Sequence, residues 1–531
     1  MFAAQQIAYH QTNAFSKIVL DYLNEEKSLQ PFYSFSPSLE GFKQAIEKRK
    51  TFATDRNTLV KVLKEQYSSV QSHEKVQHNI ELLLNDNTFT VTTAHQPNLF
   101  TGPLYFIYKI VHAIKLSEDL KKNFVDCDFV PVFYMGSEDA DLAELNHFTV
   151  SGRRYLWQTD QNGAVGRMTI DKKLTTLIDE LDHQLGVEVY GKEIVALLKQ
   201  CYKEGTTIQS ATLQIVNELF GKFGLIVLIA DDASLKKQMQ SVFEDDIFSQ
   251  KPSGIVSVTC KKLEELYKVQ AHPREINLFY LQDGVRERIE RKKDQFCILN
   301  TKIVFSEAEI REALQNHPER FSPNVILRGL YQETILPNIA FIGGGGELAY
   351  WLQLKELFDN YYVPYPVLVL RNSFLIIEKN QNELIKKLEL TSEDLFQKET
   401  DILNKILERE GKKPQLNGEL DKLQSIYDQL KSAASSIDPT LQKHVEALKT
   451  KSVHQLQVLE KKMLRAERKK HEALQRQITK VKQVLFPGNG LQERVENFAG
   501  YYAKWGTEFI DELHKSSPAS AQQFILLTET T

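Results

Sequence analysis

The period of the apolar positions changes along the chain, and each change marks a different kind of element. Residues 89–93 are aromatic and β-branched, which predicts a strand. A polar loop follows at 94–98. Leu104, Ile107, Tyr108, Val111 and Ile114 then recur at helical spacing, with Thr101 as an expected cap and Pro103 in the first turn. Residues 129–134 are almost continuously apolar, as in a strand covered on both faces, and an acidic loop comes after them. Strand, helix and strand make a βαβ unit. In such sheets ligands bind beyond the carboxyl ends of the strands.

The same alternation continues, with two interruptions. Residues 1–88 read as helices that precede the sheet, and 1–147 as those helices plus the first part of the core. Residues 148–205 read as a first insertion: a hairpin around Ser151-Gly152, then two amphipathic helices. The core resumes over 206–250, where 224–230 is a strong buried strand. A second insertion is expected over 251–330, with short strands at 255–259, 278–281 and 296–299 and a basic run at 286–293 between them. The core is completed over 331–372. Beyond it the pattern changes to threes and fours: Leu420, Leu423, Tyr427, Leu430, Ala434 and Ile437, then, after Asp438-Pro439, Leu441, Val445 and Leu448. This period predicts an antiparallel coiled coil over 373–486, paired with itself, with a partner chain, or both. Helices folding back on the core are expected over 487–531.

Composition narrows the function. A net charge of −4 gives no general attraction to nucleic acid or membrane. No apolar run reaches the length of a membrane span, and the first residues lack a signal-peptide pattern, so a cytoplasmic protein is expected. Four widely spaced cysteines, without a CxxC pair, fit a reducing compartment and argue against a zinc site. No metal-ligand constellation is read.

Candidate chemistry gathers at the strand ends. His95, Gln96 and Asn98 lie between a strand and a helix start, a position suited to phosphate or carboxylate. Glu138, Asp139, Asp141, Glu144, Asn146 and His147 follow the second strand, where carboxylates could hold an ammonium or Mg²⁺, or act as a general base. Gly343 and Gly344 open a run of four glycines ending at Glu347, an expected anion nest that lacks the P-loop lysine. Asp231 and Asp232 end another strand. Arg328 and Arg371 are candidate clamps for phosphate or carboxylate.

Several blocks resemble one family. Thr101-Gly102-Pro103-Leu104-Tyr105 with Lys109, then Gly136-Ser137-Glu138-Asp139-Ala140-Asp141 with Asn146-His147, are similar to the bacillithiol biosynthesis cysteine-adding enzymes, BshC. Ala230-Asp231-Asp232, Glu347-Leu348-Ala349-Tyr350-Trp351 and Leu491-Gln492-Glu493-Arg494 agree. His95 stands where the family often has Gln. The resemblance implies a Rossmann-like α/β core with a parallel sheet, like that of class I nucleotidyltransferases, two connecting-peptide insertions and a C-terminal coiled coil that makes a homodimer. It implies a ligase that adds L-cysteine to the amine of glucosaminyl-malate, with ATP or ADP as the nucleotide. His95, Glu138, Asp139 and Asp141 would then be catalytic. Gly102, Tyr105, Lys109 and Trp351 would join the other strand-end residues in binding. The rival expectation is a non-catalytic coiled-coil scaffold that recruits the pathway's enzymes.

Overall fold

The computed structural model describes residues 2–530. Five parallel strands, numbered β1 to β5 in chain order, are Thr88–His95, Asp128–Met135, Ile226–Ile229, Asn338–Gly343 and Val367–Leu370. Their spatial order is β5-β4-β1-β2-β3. This is the doubly wound Rossmann-like order, whose direction reverses between β1 and β4. Every residue of β3, β4 and β5 is buried, which explains the uninterrupted apolar runs.

The helix Tyr105–Asn123 joins β1 to β2, but it does not begin as its sequence suggests. Leu104 occupies the cap position, and Thr101 caps nothing. Instead Phe100, Thr101 and Gly102 all have positive φ (49°, 70° and 66°). Asn497 holds this kink, donating from Nδ2 to the carbonyls of Phe100 (2.8 Å) and Gly102 (2.6 Å). A brace supplied from the far end of the chain has no local signature.

The first insertion forms the expected hairpin, His147–Val150 with Arg153–Leu156, turning through positive φ at Ser151 and Gly152. Its helices Lys172–Leu185 and Gly191–Cys201 share one hydrophobic cluster with the β1–β2 helix. In the second insertion, 255–259 is not a strand. It lies inside the helix Lys251–Glu264, where Val256, Thr259, Cys260 and Leu263 are buried at helical spacing. Its β-branched residues raise strand propensity, but burial on one helical face decides. The basic run falls on the strand Val285–Lys292 of an antiparallel five-stranded sheet.

Both ends of the chain depart from the helical expectation. Phe2–Ala8 and Gln523–Glu529 are strands, joined with Ser373–Ile377 in a three-stranded sheet ordered first, last, middle. Strand partners some 500 positions apart leave no trace in local periodicity. Between these strands the helices Phe498–Trp505 and Thr507–Ser516 join the large cluster.

The chain divides into two compact units: one runs to Ile376 and again over Gly490–Leu527, and the other covers Ile377–Asn489 with residues from Thr528. In the second unit, helices Asn417–Ile437 and Leu441–Lys470 form an antiparallel hairpin about Asp438-Pro439. Tyr427 bonds Ser452 at 2.8 Å, and Lys449 pairs with Asp428 across it. The coiled coil therefore pairs with itself within one chain. Ile426, Leu430, Leu448 and Leu459 of the hairpin stay exposed. No helix among the described residues is long and apolar enough to cross a membrane.

His112, on the β1–β2 helix, binds the C-terminal segment. Its Nδ1 accepts from the Asn372 backbone N–H at 3.1 Å, and its Nε2 donates to the Ala519 carbonyl at 2.9 Å. Burial lowers its pKa from 6.5 to about 4. A histidine lowered in the folded state favours folding above its unfolded value and loses that contribution as pH falls toward the folded value. Stability is expected to drop by about 3 kcal/mol between pH 6.5 and 4 from this group. Equilibrium denaturation of wild type and His112→Gln across that range checks it; equal pH slopes refute it.

Candidate active site

All five core strands end at one cavity of about 410 Å³. His95 is the last residue of β1. Glu138 and Asp139 follow β2, and Asp231 follows β3. Gly344 and Glu347 follow β4, and Arg371 follows β5; all of these line the cavity. The reversal of strand order between β1 and β4 opens the crevice, so each loop turns outward and leaves room between them.

The β1, β4 and β5 side is cationic. Lys109 is buried, donates to the Ala94 carbonyl at 2.8 Å and pairs with Glu347. Glu347 also accepts from the Gly344 N–H at 2.8 Å, closing the helix Gly345–Trp351. Arg371 is held by Glu493 through bonds of 3.0 and 2.6 Å, and lies 5.4 Å from the Tyr105 ring. Arg328 bonds the Tyr350 hydroxyl. Neither Arg328 nor Arg494, which also lines the cavity, has a carboxylate partner among the described residues. The His95 ring meets Tyr105 and Phe106 edge-on at 5.1 and 5.8 Å, and its Nε2 is enclosed without a hydrogen-bond partner. Burial, reinforced by Lys109, Arg328 and Arg371, holds its pKa well below the ordinary value. The imidazole is neutral at physiological pH.

The β2 and β3 side is a chain of charge pairs. Glu138 pairs with Lys236, whose ammonium is fully buried. Lys236 also donates to the Glu319 carbonyl at 2.9 Å and lies 3.5 Å from Asp231. Asp231 takes a bidentate contact from Arg167 at 2.6 and 2.8 Å. Burial raises the pKa of Glu138, against the pull of Lys236. For Asp231 burial is outweighed by Arg167 and Lys236, which keep it below its ordinary value. Asp139 accepts from Gln96 at 2.9 Å and faces Arg286 at 3.7 Å.

The chain matches two family models: "Bacillithiol biosynthesis BshC, N-terminal Rossmann-like domain" over residues 2–372, and the BshC "C-terminal coiled-coil domain" over 374–529. It belongs to the BshC family. Proteins named "Putative cysteine ligase BshC" resemble it over nearly their whole length. The one from Cytophaga hutchinsonii is 40% identical, covering 97% of each chain. That from Flavobacterium psychrophilum is 41% identical over 96% of this chain and 97% of its own. That from Chlorobaculum tepidum is 31% identical over 97% of both.

In this BshC member the cavity gathers His95, Gln96, Tyr105, Lys109, Glu138, Asp139, Asp231, Arg328, Gly344, Glu347 and Arg371. Nine other candidates do not line it, among them Glu144, which lies on the short helix Leu142–Leu145. Asp141 caps the short helix Leu142–Leu145, and Asp232 caps Ala233–Lys237 through bonds to Ser234 and Leu235. Trp351 is a core residue stacked on Phe341 at 4.4 Å. Asn98 and Gly102 build the kink: a Cβ on Gly102 would lie 2.6 Å from the Asn98 Cβ. Asn146 and His147 begin the first insertion's hairpin, where the Asn146 carbonyl accepts from Trp157 at 2.8 Å. Gly343 ends β4 in the ladder, paired with Leu370. None of the four glycines has positive φ, so they form a strand end and a first helical turn instead of a nest.

Four residues of the site escaped the sequence reading. Lys236 sits on a helix like any other, and Tyr350 belonged to the Glu347–Trp351 resemblance block without a role. Arg286 lay within the basic run, and only its strand position turns it to the cavity. Arg494 belonged to the Leu491–Arg494 resemblance block without a role. Arg286 is clamped, its guanidinium 4.1 Å from the Phe279 ring and its Nε donating to Ser322 at 3.2 Å.

Proposed function

We propose that this chain is a ligase that joins L-cysteine to the amine of glucosaminyl-malate, giving bacillithiol, with ATP or a related nucleotide activating the cysteine carboxylate. The observation that carries this reading is the cavity's division, at the strand-order reversal, into a cationic wall with unpaired arginines and a wall of carboxylates paired with cations. An oxide or hydroxide is a poor leaving group, so amide formation from a carboxylate needs a phosphoryl or adenylyl group on the oxygen. Arg328 and Arg494, lacking carboxylate partners, are suited to the charge of such a group. A neutral His95 can donate one hydrogen bond to it. On the opposite wall the Glu138 oxygen that Lys236 leaves free can accept from an amine. The cysteine-ligase names of the relatives support the same chemistry.

Mg²⁺ fits less well on the protein itself. Glu138 faces Lys236, Asp139 faces Gln96 and Arg286, and Asp141 is a helix cap. A divalent ion would be held by nucleotide phosphates, with these residues left to their cations. Purified protein incubated with ATP, L-cysteine and glucosaminyl-malate should yield bacillithiol, detected by mass spectrometry. No product with any nucleotide, ADP included, with or without Mg²⁺, refutes the reading.

A further inference from the structure

The acids that reach the cavity are not equally committed. Asp231 spends both oxygens on Arg167. Asp139 spends Oδ2 on Gln96 and turns Oδ1 toward Arg286. Glu347 keeps Oε1, but it stands with Lys109 and near Arg328 and Arg371, a setting that attracts anions. Glu138 gives Oε1 to Lys236, and its Oε2 accepts no hydrogen bond among the described residues. Its side chain is 13% exposed and lines the cavity. Lys236 is fixed from three directions, by Glu138, by Asp231 and by the Glu319 carbonyl of the second insertion. A clamped ammonium thus aims a carboxylate that has one oxygen to spare.

We propose that Glu138 takes the proton from the attacking amine, and that Lys236 is the positioning residue that orients it. This rests on the ligase reading above. The amine nitrogen attacks the acyl carbon of a nucleotide-activated cysteine. The C–N bond forms, and the bond from acyl carbon to the phosphate oxygen breaks, its electron pair leaving with the phosphate. The proton released from nitrogen passes to Oε2 of Glu138. The groups facing Glu138 are Lys236, Asp231, Arg167 and Arg286, with the phenols of Tyr134 and Tyr331. Lys236 is the nearest cation, so its removal disfavours the carboxylate form, which then appears only at higher pH.

The test measures bacillithiol formation by the full chain from pH 5 to 9. In wild type kcat rises through an acidic limb. Lys236→Met should move that limb upward by about one pH unit or more, and Glu138→Gln should lower kcat about 100-fold. A uniform loss with an unmoved limb makes Lys236 merely structural, and full activity in Glu138→Gln overturns the proposal. Calorimetry supplies a second arm that needs no turnover. Wild type should bind glucosaminyl-malate about tenfold more tightly than its N-acetyl derivative, and Glu138→Gln should lose that preference. Glu138→Gln leaves Lys236 its Asp231 and Glu319 contacts, so it carries the test if Lys236→Met does not fold. Absence of product from wild type refutes the ligase reading alone; absence of the amine preference refutes this inference.

Discussion

Replacing Glu493 with alanine is expected to destabilise the sheet-bearing unit by about 3–5 kcal/mol, the usual cost of leaving a buried charge unpaired. The Arg371 side chain is 4% exposed and that of Glu493 1%, so water cannot replace the lost carboxylate. Glu493 accepts two bonds from the guanidinium and a third from Ser373 at 3.3 Å. The pair also joins the residue after β5 to the C-terminal segment, so the loss falls on a long-range tie. Removing both charges together, as Arg371→Met with Glu493→Leu, should cost much less, because no ion is then stranded. Equilibrium denaturation of Glu493→Ala and of the double variant makes the comparison. A loss below about 1 kcal/mol in Glu493→Ala would mean that solvent reaches the pair. Activity should fall in the double variant even where stability recovers, since Arg371 lines the cavity.

Changing His95 to alanine should lower kcat by about 100–1,000-fold, the effect of deleting one donor aimed at developing charge. The imidazole is held neutral by burial and by Lys109, Arg328 and Arg371, so it does not titrate near neutral pH. Its contribution is therefore constant there, and the acidic limb of the rate profile should be the same in wild type and in His95→Gln. Glutamine can donate from its amide at a similar reach, so His95→Gln should retain activity within about tenfold of wild type. Rate profiles of the three proteins decide the matter. A limb that disappears in His95→Gln would assign the titration to the imidazole and would overturn its neutral role.

The sheet was legible because its evidence is local. A buried parallel strand needs a run of apolar residues, and 129–134 and 224–230 carry one. The polar residues that follow each run marked the rim, and the rim proved to be a single cavity lined by His95, Glu138, Asp231 and Arg371. The hairpin of the second unit was legible for the same reason, since a repeat of threes and fours needs no knowledge of distant residues. Errors arose where local propensity and tertiary burial disagreed. The β-branched stretch at 255–259 became helix because one face of that segment meets the core.

The sequence by itself determined where the core strands end, much of the chemistry that stands at those ends, and which segment coils. Tertiary structure alone decided which of those groups are free to act. Lys236 neutralises Glu138 across 98 positions, Glu493 secures Arg371 across 122, and Asn497 holds the Gly102 kink across 395. Periodicity reports the side of an element that a residue occupies. It carries no record of the partner waiting there, because a charge pair is satisfied by any chain segment that brings the opposite charge within reach.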